Sequence, residues 1–195
     1  MSQKLTRFAD VELRRCDDDN KRNVIEGNAV VFNRSADMGW FTEEIDARAF
    51  DGADMSDVVL NFNHDNNIVL AGTRNGSLEL QVRDDTLFQK STVIDTTQGE
   101  DVMKLVESGL ISKMSFAFTI ADDGEIWEKR DGKEHRTITK IDRLYDVSLV
   151  TFPAYPQTSA WARGEGDELA ERHKALMEKR AEQDKKMEEL LKDEH

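Results

Sequence analysis

Cysteine is almost absent from this chain: Cys16 stands alone among 195 residues. One thiol closes no internal disulfide and builds no thiolate metal cage, so a reducing compartment fits best. Long apolar runs are missing too. Nowhere does the chain offer the ~18 consecutive apolar residues that a membrane span needs, and the opening MSQKLTRFADVELRR has no apolar core of a secretory signal. The expectation is a soluble protein that no signal peptide exports. Positive charge is in short supply, with 27 Lys and Arg against 40 Asp and Glu and a formal net charge of −13. Phosphate backbones and anionic lipid surfaces would repel such a chain, which argues against nucleic-acid and membrane partners. Aromatics make up 7% of the residues, and the hydrophobic 38% is set beside 34% charged. That suffices for a packed core in a chain whose composition is uneven.

The length suits one domain of ordinary size with an appendage. Up to about residue 162, short β-branched and aromatic runs are broken by Gly, Asn and Asp clusters, as strands broken by turns would be. Strands are expected at 5–14, 24–33, 57–63, 77–83, 86–94, 112–120, 125–130, 135–141 and 144–152. Their close spacing favours a barrel or a sandwich. One helix interrupts them: Thr96 or Thr97 can cap a segment in which Val102, Leu105, Val106 and Leu110 recur at helical spacing, and Gly109 stops or bends it. A shorter helical turn is weakly signalled at 46–51.

The two prolines, Pro153 and Pro156, mark an abrupt change. Residues 165–195 hold no proline, no β-branched residue and one glycine, Gly166. Leu169, Leu176, Met187, Leu190 and Leu191 form a thin apolar stripe among Glu and Lys/Arg spaced for i,i+4 pairs. The reading is a C-terminal acidic helix, either solvated or bound to another helix. The expected division is a domain over 1–162 and a tail over 163–195, with Gly164 and Gly166 in an exposed linker.

A serine hydrolase needs a hydroxyl, an imidazole to take its proton, and a third group that orients the imidazole. Each stands on a different expected strand: His64 closes LNFNH, Ser115 lies inside KMSFAF and Asp146 inside LYDVSLV. Each also has an ordinary reading. Ser115 among Met114, Phe116, Ala117 and Phe118 suits a core hydroxyl, His64 an exposed loop histidine, and Asp146 a gatekeeper charge on an edge strand. KMSFAF lacks the Gly-x-Ser-x-Gly elbow of the α/β-hydrolases. A metal site is disfavoured, since DDDN at 17–20 and NHDNN at 63–67 match neither an EF-hand nor an HExxH pair. Cys16 is a poor nucleophile, because the anions of CDDDN disfavour its thiolate.

Four segments in this order carry a resemblance: GNAVVFNRSADMGWFTEEIDARAF, LNFNHD, GLISKMSFAFTI and LYDVSLVTFPAYPQTSA. Over residues 10 to 161 the chain resembles the prohead proteases of tailed phages, a family related in fold to the herpesvirus assemblins. The resemblance implies a mostly β fold with peripheral helices, built on an assemblin-like β-barrel core. It implies a serine endopeptidase of capsid maturation, with Ser115 as nucleophile and His64 as base. The third member it implies is Asp146, with His135 the alternative because the herpesvirus relatives use a second histidine. No cofactor and no metal follow from it. The implied partners are the major capsid protein and the scaffold protein, inside the procapsid in the host cytoplasm. The herpesvirus relatives work as dimers, so a homodimer or higher oligomer is a further implied partner. Self-cleavage near 157–170 or within the tail is expected. The competing expectation is a non-catalytic assembly module, in which Ser115 and His64 are structural.

Overall fold

The computed structural model describes residues 4–10, 14–15 and 23–151, together with helical positions between 170 and 186. Chain contacts divide it into two units, Met1–Ala154 and Tyr155–His195. The boundary expected at 162/163 and the Gly164–Gly166 linker lie outside the described residues. In the second unit, the described positions, among them Ala170, His173 and Lys186, have helical backbone.

The first unit is mostly β. In chain order it runs β1 (Lys4–Asp10), β2 (Arg14–Arg15), β3 (Val24–Val31), β4 (Ala36–Asp37), β5 (Phe41–Ile45), β6 (Val59–Phe62), β7 (Asp65–Gly72), β8 (Leu78–Val82) and β9 (Thr86–Thr92). Then come α1 (Thr97–Glu107), β10 (Lys113–Ile120), β11 (Glu125–Arg130), β12 (Lys133–Ile138) and β13 (Ile141–Val150). The strands form a five-stranded sheet in the order β1-β10-β13-β6-β7 and two four-stranded sheets, β11-β12-β5-β4 and β2-β3-β9-β8.

The mostly β class is as expected, but the closed barrel is not. Among the described residues no sheet closes on itself, because closure needs the first and last strands of a ladder to pair. Here β1 and β7 end the large sheet, and the two-residue strands β2 and β4 end the others before a ring can form. The expected turn at 46–51 is a pair of tight turns without an α-helix, closed by Ala49 N–H to Asp46 O and Asp51 N–H to Arg48 O, both at 2.9 Å.

The core lies between the sheets, where β3 packs against β1 and β10 and β9 packs against β7. Ile25, Leu60, Leu70, Leu87, Met114 and Phe118 are among the side chains buried there. Strand β10 is buried almost throughout, and β13 is buried continuously from Asp146 to Val150. Near-continuous apolar runs such as SLV and SFAF therefore suit central strands covered on both faces.

Helix α1 is capped by Thr96, whose hydroxyl accepts from Gly99 N–H at 3.0 Å. At its other end Gly109 takes the left-handed conformation, φ +74. Gly109 N–H donates to Val106 O and Leu110 N–H to Leu105 O, the paired bonds of a Schellman ending. That ending turns the chain into β10.

Gly124 closes the link between β10 and β11 against the segment joining β12 to β13. Its N–H donates to Ala121 O, and its carbonyl accepts from Thr139 N–H at 2.8 Å. A Cβ here would overlap the Lys140 carbonyl oxygen and come within 2.9 Å of Ala121 O. Neither obstacle is a flexible side chain. Gly124→Ala is expected to destabilise the fold by about 1–3 kcal/mol, the usual cost of overpacking. Equilibrium unfolding in urea checks this, and an unchanged midpoint would show that the two links can separate freely.

Candidate active site

The centre of the large sheet carries a row of polar side chains where β propensity alone would place apolar ones. Ser115 on β10 is paired with Ser148 on β13, and Ser148 with Asn61 on β6. All three lack accessible surface. Paired residues on neighbouring strands share a face, so these side chains project together, and Asp146, two residues before Ser148, projects beside them. The alternate face carries Met114, Phe116, Val147, Leu149 and Leu60, all buried. One face of the sheet is therefore apolar and the other carries the polar row.

His64 reaches this row from a hairpin. Phe62 on β6 pairs with Asp65 on β7, leaving Asn63 and His64 as a two-residue turn. Both have positive φ, 52 and 58, as a type I′ turn demands. Asparagine is a common first residue of such a turn, but histidine replaces the usual glycine at the second, where a side chain carries a strain cost. The turn is tied to the end of β13: Asn63 N–H donates to Leu149 O at 2.9 Å, and Asn63 Oδ1 accepts from Thr151 N–H at 3.0 Å.

So held, the imidazole bridges two groups. Nε2 lies 2.5 Å from Ser115 Oγ, and Nδ1 lies 2.6 Å from Asp146 Oδ1. Ser115 Oγ also faces the Arg7 carbonyl at 2.9 Å, so its single proton has two acceptors within reach. Ser148 Oγ lies 2.8 Å from Asp146 Oδ1 and 3.0 Å from His64 Nδ1. Lys4 on β1 places Nζ 3.1 Å from the other carboxylate oxygen of Asp146.

Burial pushes the Asp146 carboxyl up. The hydrogen bond and charge of His64, the Ser148 hydroxyl and the Lys4 ammonium outweigh it and hold the group below its ordinary value. Asp146 is accordingly an anion wherever histidine titrates.

Beside the row lies a buried ion-pair cluster. Trp127, Arg136 and Glu43 stand in register across β11, β12 and β5, and Arg7 on β1 joins from the large sheet. Glu43 accepts from Arg7 Nη2 and from Arg136 Nη1, each at 3.0 Å, and Arg136 Nε donates to Glu125 at 2.7 Å. Burial pushes the Glu43 carboxyl up, and the two guanidinium groups more than reverse that. Arg7 thus links this cluster to the strand whose carbonyl faces Ser115.

Of the residues singled out in the sequence, His64, Ser115 and Asp146 come together. His135 does not join them. It is buried on β12, with Nδ1 2.7 Å from Thr42 Oγ1 and Nε2 3.3 Å from Glu44. The segment 17–20 and Cys16 lie outside the described residues. Among those described, no group of three or more His, Cys, Asp or Glu side chains is arranged to hold a metal. No helix among them is long and apolar enough to cross a membrane. Lys4, Arg7, Asn61 and Ser148 were not foreseen. The signal for Ser148 was its place in LYDVSLV, two residues after Asp146 in an otherwise apolar strand.

A family model described as caudovirus prohead serine protease matches residues 9–172. Among solved structures, the capsid assembly protease of bacteriophage T4 aligns with a TM-score of 0.47 and 11% identity, covering 76% of this chain and 99% of that one. No curated protein matches the sequence.

Proposed function

Since this chain belongs to the caudovirus prohead serine protease family, we propose that it cuts the scaffold protein, the major capsid protein and itself, using Ser115, His64 and Asp146. The protein is a serine protease with a role in capsid maturation, acting within the procapsid. The observation that carries the residue assignment is the unbroken line Asp146 Oδ1, His64 Nδ1, His64 Nε2, Ser115 Oγ, with contacts of 2.6 and 2.5 Å.

In this mechanism Ser115 Oγ attacks the carbonyl carbon of the scissile peptide as its proton passes to His64 Nε2. Asp146 holds the Nδ1 proton and offsets the charge of the imidazolium. His64 then returns its proton to the departing amine, and the C–N bond breaks to leave an acyl-enzyme. A water deprotonated by His64 hydrolyses that ester and restores Ser115. Asp146 is favoured over His135 as third member because its carboxylate is in contact with the His64 ring, whereas the His135 ring is engaged by Thr42 and Glu44.

The protease domain is taken to end at 162, and 163–195 to form an acidic helix that co-assembles with scaffold helices and is then lost through a cut near 157–170 or within the tail. Co-expression of the full chain with the cognate capsid and scaffold proteins, read by intact mass spectrometry, tests this. The expected products are shortened capsid and scaffold chains and a protease lacking its tail. Capsid and scaffold proteins left whole by a chain that cuts other peptides would overturn the substrate assignment. A chain that stays intact through long incubation while it cuts other substrates would overturn self-cleavage.

A further inference from the structure

We propose that Ser148, held by Asn61, is a positioning residue that fixes the orientation of Asp146 and the tautomer of His64. The inference rests on the reading of Ser115, His64 and Asp146 as the catalytic set.

A hydroxyl and an amide fully buried at the centre of a sheet are costly unless hydrogen-bonded. Ser148 and Asn61 lack accessible surface and stand in register with Ser115. Ser148 Oγ touches three groups: the Asn61 amide, Asp146 Oδ1 at 2.8 Å and His64 Nδ1 at 3.0 Å. It has one proton to give.

If that proton goes to Asn61 Oδ1, a hydroxyl lone pair faces the Asp146 carboxylate, and Asn61 Nδ2 is left buried without a partner. Turning the amide over, whose two ends have nearly the same shape, frees the hydroxyl proton for the carboxylate and gives Nδ2 a partner, so that the buried group left without one is a carbonyl oxygen in place of an NH2. Nδ2 then donates to Ser148 Oγ, and Ser148 donates to Asp146 Oδ1. A chain of donors results, running from Asn61 through Ser148 to the carboxylate.

The consequence falls on His64. With Ser148 donating to Oδ1 and Lys4 on Oδ2, both carboxylate oxygens are held, and Oδ1 keeps a lone pair for the His64 Nδ1 proton. The Ser148 lone pair at 3.0 Å faces the same proton. The proton therefore resides on Nδ1, and Nε2 presents its lone pair to Ser115, as a general base must. Lys4 is half exposed on a strand at the edge of the sheet, whereas Ser148 is fully buried in a central strand. Most of the orientation falls to Ser148.

The test uses the full chain and a fluorophosphonate, which phosphonylates an activated serine and so needs no knowledge of the natural cleavage site. Labelling of Ser115 is timed by mass spectrometry for the wild type, Ser148→Ala, Ser148→Thr, Asn61→Ala and the Ser148→Ala/Asn61→Ala double variant. The His64 Nδ1 proton is followed by NMR and folding by thermal unfolding. Ser148→Ala is expected to slow labelling about 10-fold or more, the scale of one hydrogen bond to a charged group. Ser148→Thr, which keeps the hydroxyl, should restore most of the rate. Asn61→Ala should slow the wild type yet add little to Ser148→Ala, because it acts through that hydroxyl. The Nδ1 proton resonance should shift in Ser148→Ala, while the melting temperature falls by only a few degrees as the Asn61 amide loses its partner.

Labelling of Ser148→Ala at the wild-type rate with an unmoved Nδ1 resonance would overturn the inference and leave the catalytic set intact. A wild-type chain that cuts peptides but never labels at Ser115 would instead overturn the catalytic reading itself.

Discussion

Ser115→Ala is expected to reduce peptide-bond cleavage by about 10⁴-fold or more, leaving only what binding and local dipoles supply. His64→Ala should cost about as much, and the two together little more than either, since each removes the same proton-coupled attack. Asp146→Asn keeps the shape of the site but offers the imidazole an amide in place of a carboxylate. It favours the wrong tautomer and should fall by a comparable ~10⁴-fold. The fold should survive all three. Ser115→Ala forfeits one donated hydrogen bond, for which His64 Nε2 and the Arg7 carbonyl are the alternative acceptors, at a net cost of about 1 kcal/mol. Cleavage of the capsid and scaffold proteins, quantified by intact mass alongside melting curves, is the measurement. If Ser115→Ala cut like the wild type, Ser115 would return to being a core hydroxyl and the competing assembly-module reading would gain. His135→Ala is the matched control, expected to keep cleavage because its ring contacts Thr42 and Glu44.

The largest expected loss of stability lies away from the chemistry, at Glu43. This carboxylate is buried between Arg7 and Arg136, and Glu43→Ala would leave two guanidinium groups facing each other across a vacant site. Breaking a buried pair by removing one partner costs about 3–5 kcal/mol, because the remaining charge is desolvated without compensation. For a chain of this size that corresponds to a fall in melting temperature of about 6–20 °C.

The same cluster sets a sign for acid stability. The folded carboxyl of Glu43 titrates below its ordinary value, as does Asp146. Their contribution is therefore complete above the unfolded carboxylate range, near pH ~4, and is lost as pH falls through the lower folded values. Urea midpoints measured downward from neutral pH should drop more steeply in the wild type than in Glu43→Ala. Parallel pH curves for the two proteins would show that Glu43 is not the titrating group.

Much of the fold was legible because periodicity and turn chemistry are local. The strand expected at 125–130 is β11 to the residue, and α1 falls between its threonine cap and its glycine stop. Three strands escaped, of which β4 is only two residues long. β7 opens with Asp65, Asn66 and Asn67, which read as loop residues, and its start is set by the two-residue turn at Asn63 and His64. β5 is five residues long and buries Glu43 between Phe41 and Ile45, so its alternation contains a charge where a hydrocarbon is expected. That charge is explained only by Arg136 on the neighbouring strand and Arg7 from another sheet, 93 and 36 residues away along the chain.

By itself the sequence determined the mostly β class, the helix leading into the Ser115 strand, the acidic tail composition and, through its matched segments, the family. Each of these is written in residue types at short spacing, where propensity, capping and patterning act. Only the tertiary structure decided which groups meet. His64 faces Ser115 and Asp146 because a hairpin turn throws its ring over the sheet, while His135, equally a histidine among β residues, points into a different sheet. Ser148 and Asn61 join the row by strand register, and register is fixed by burying one whole face of a sheet, which no short stretch of sequence contains.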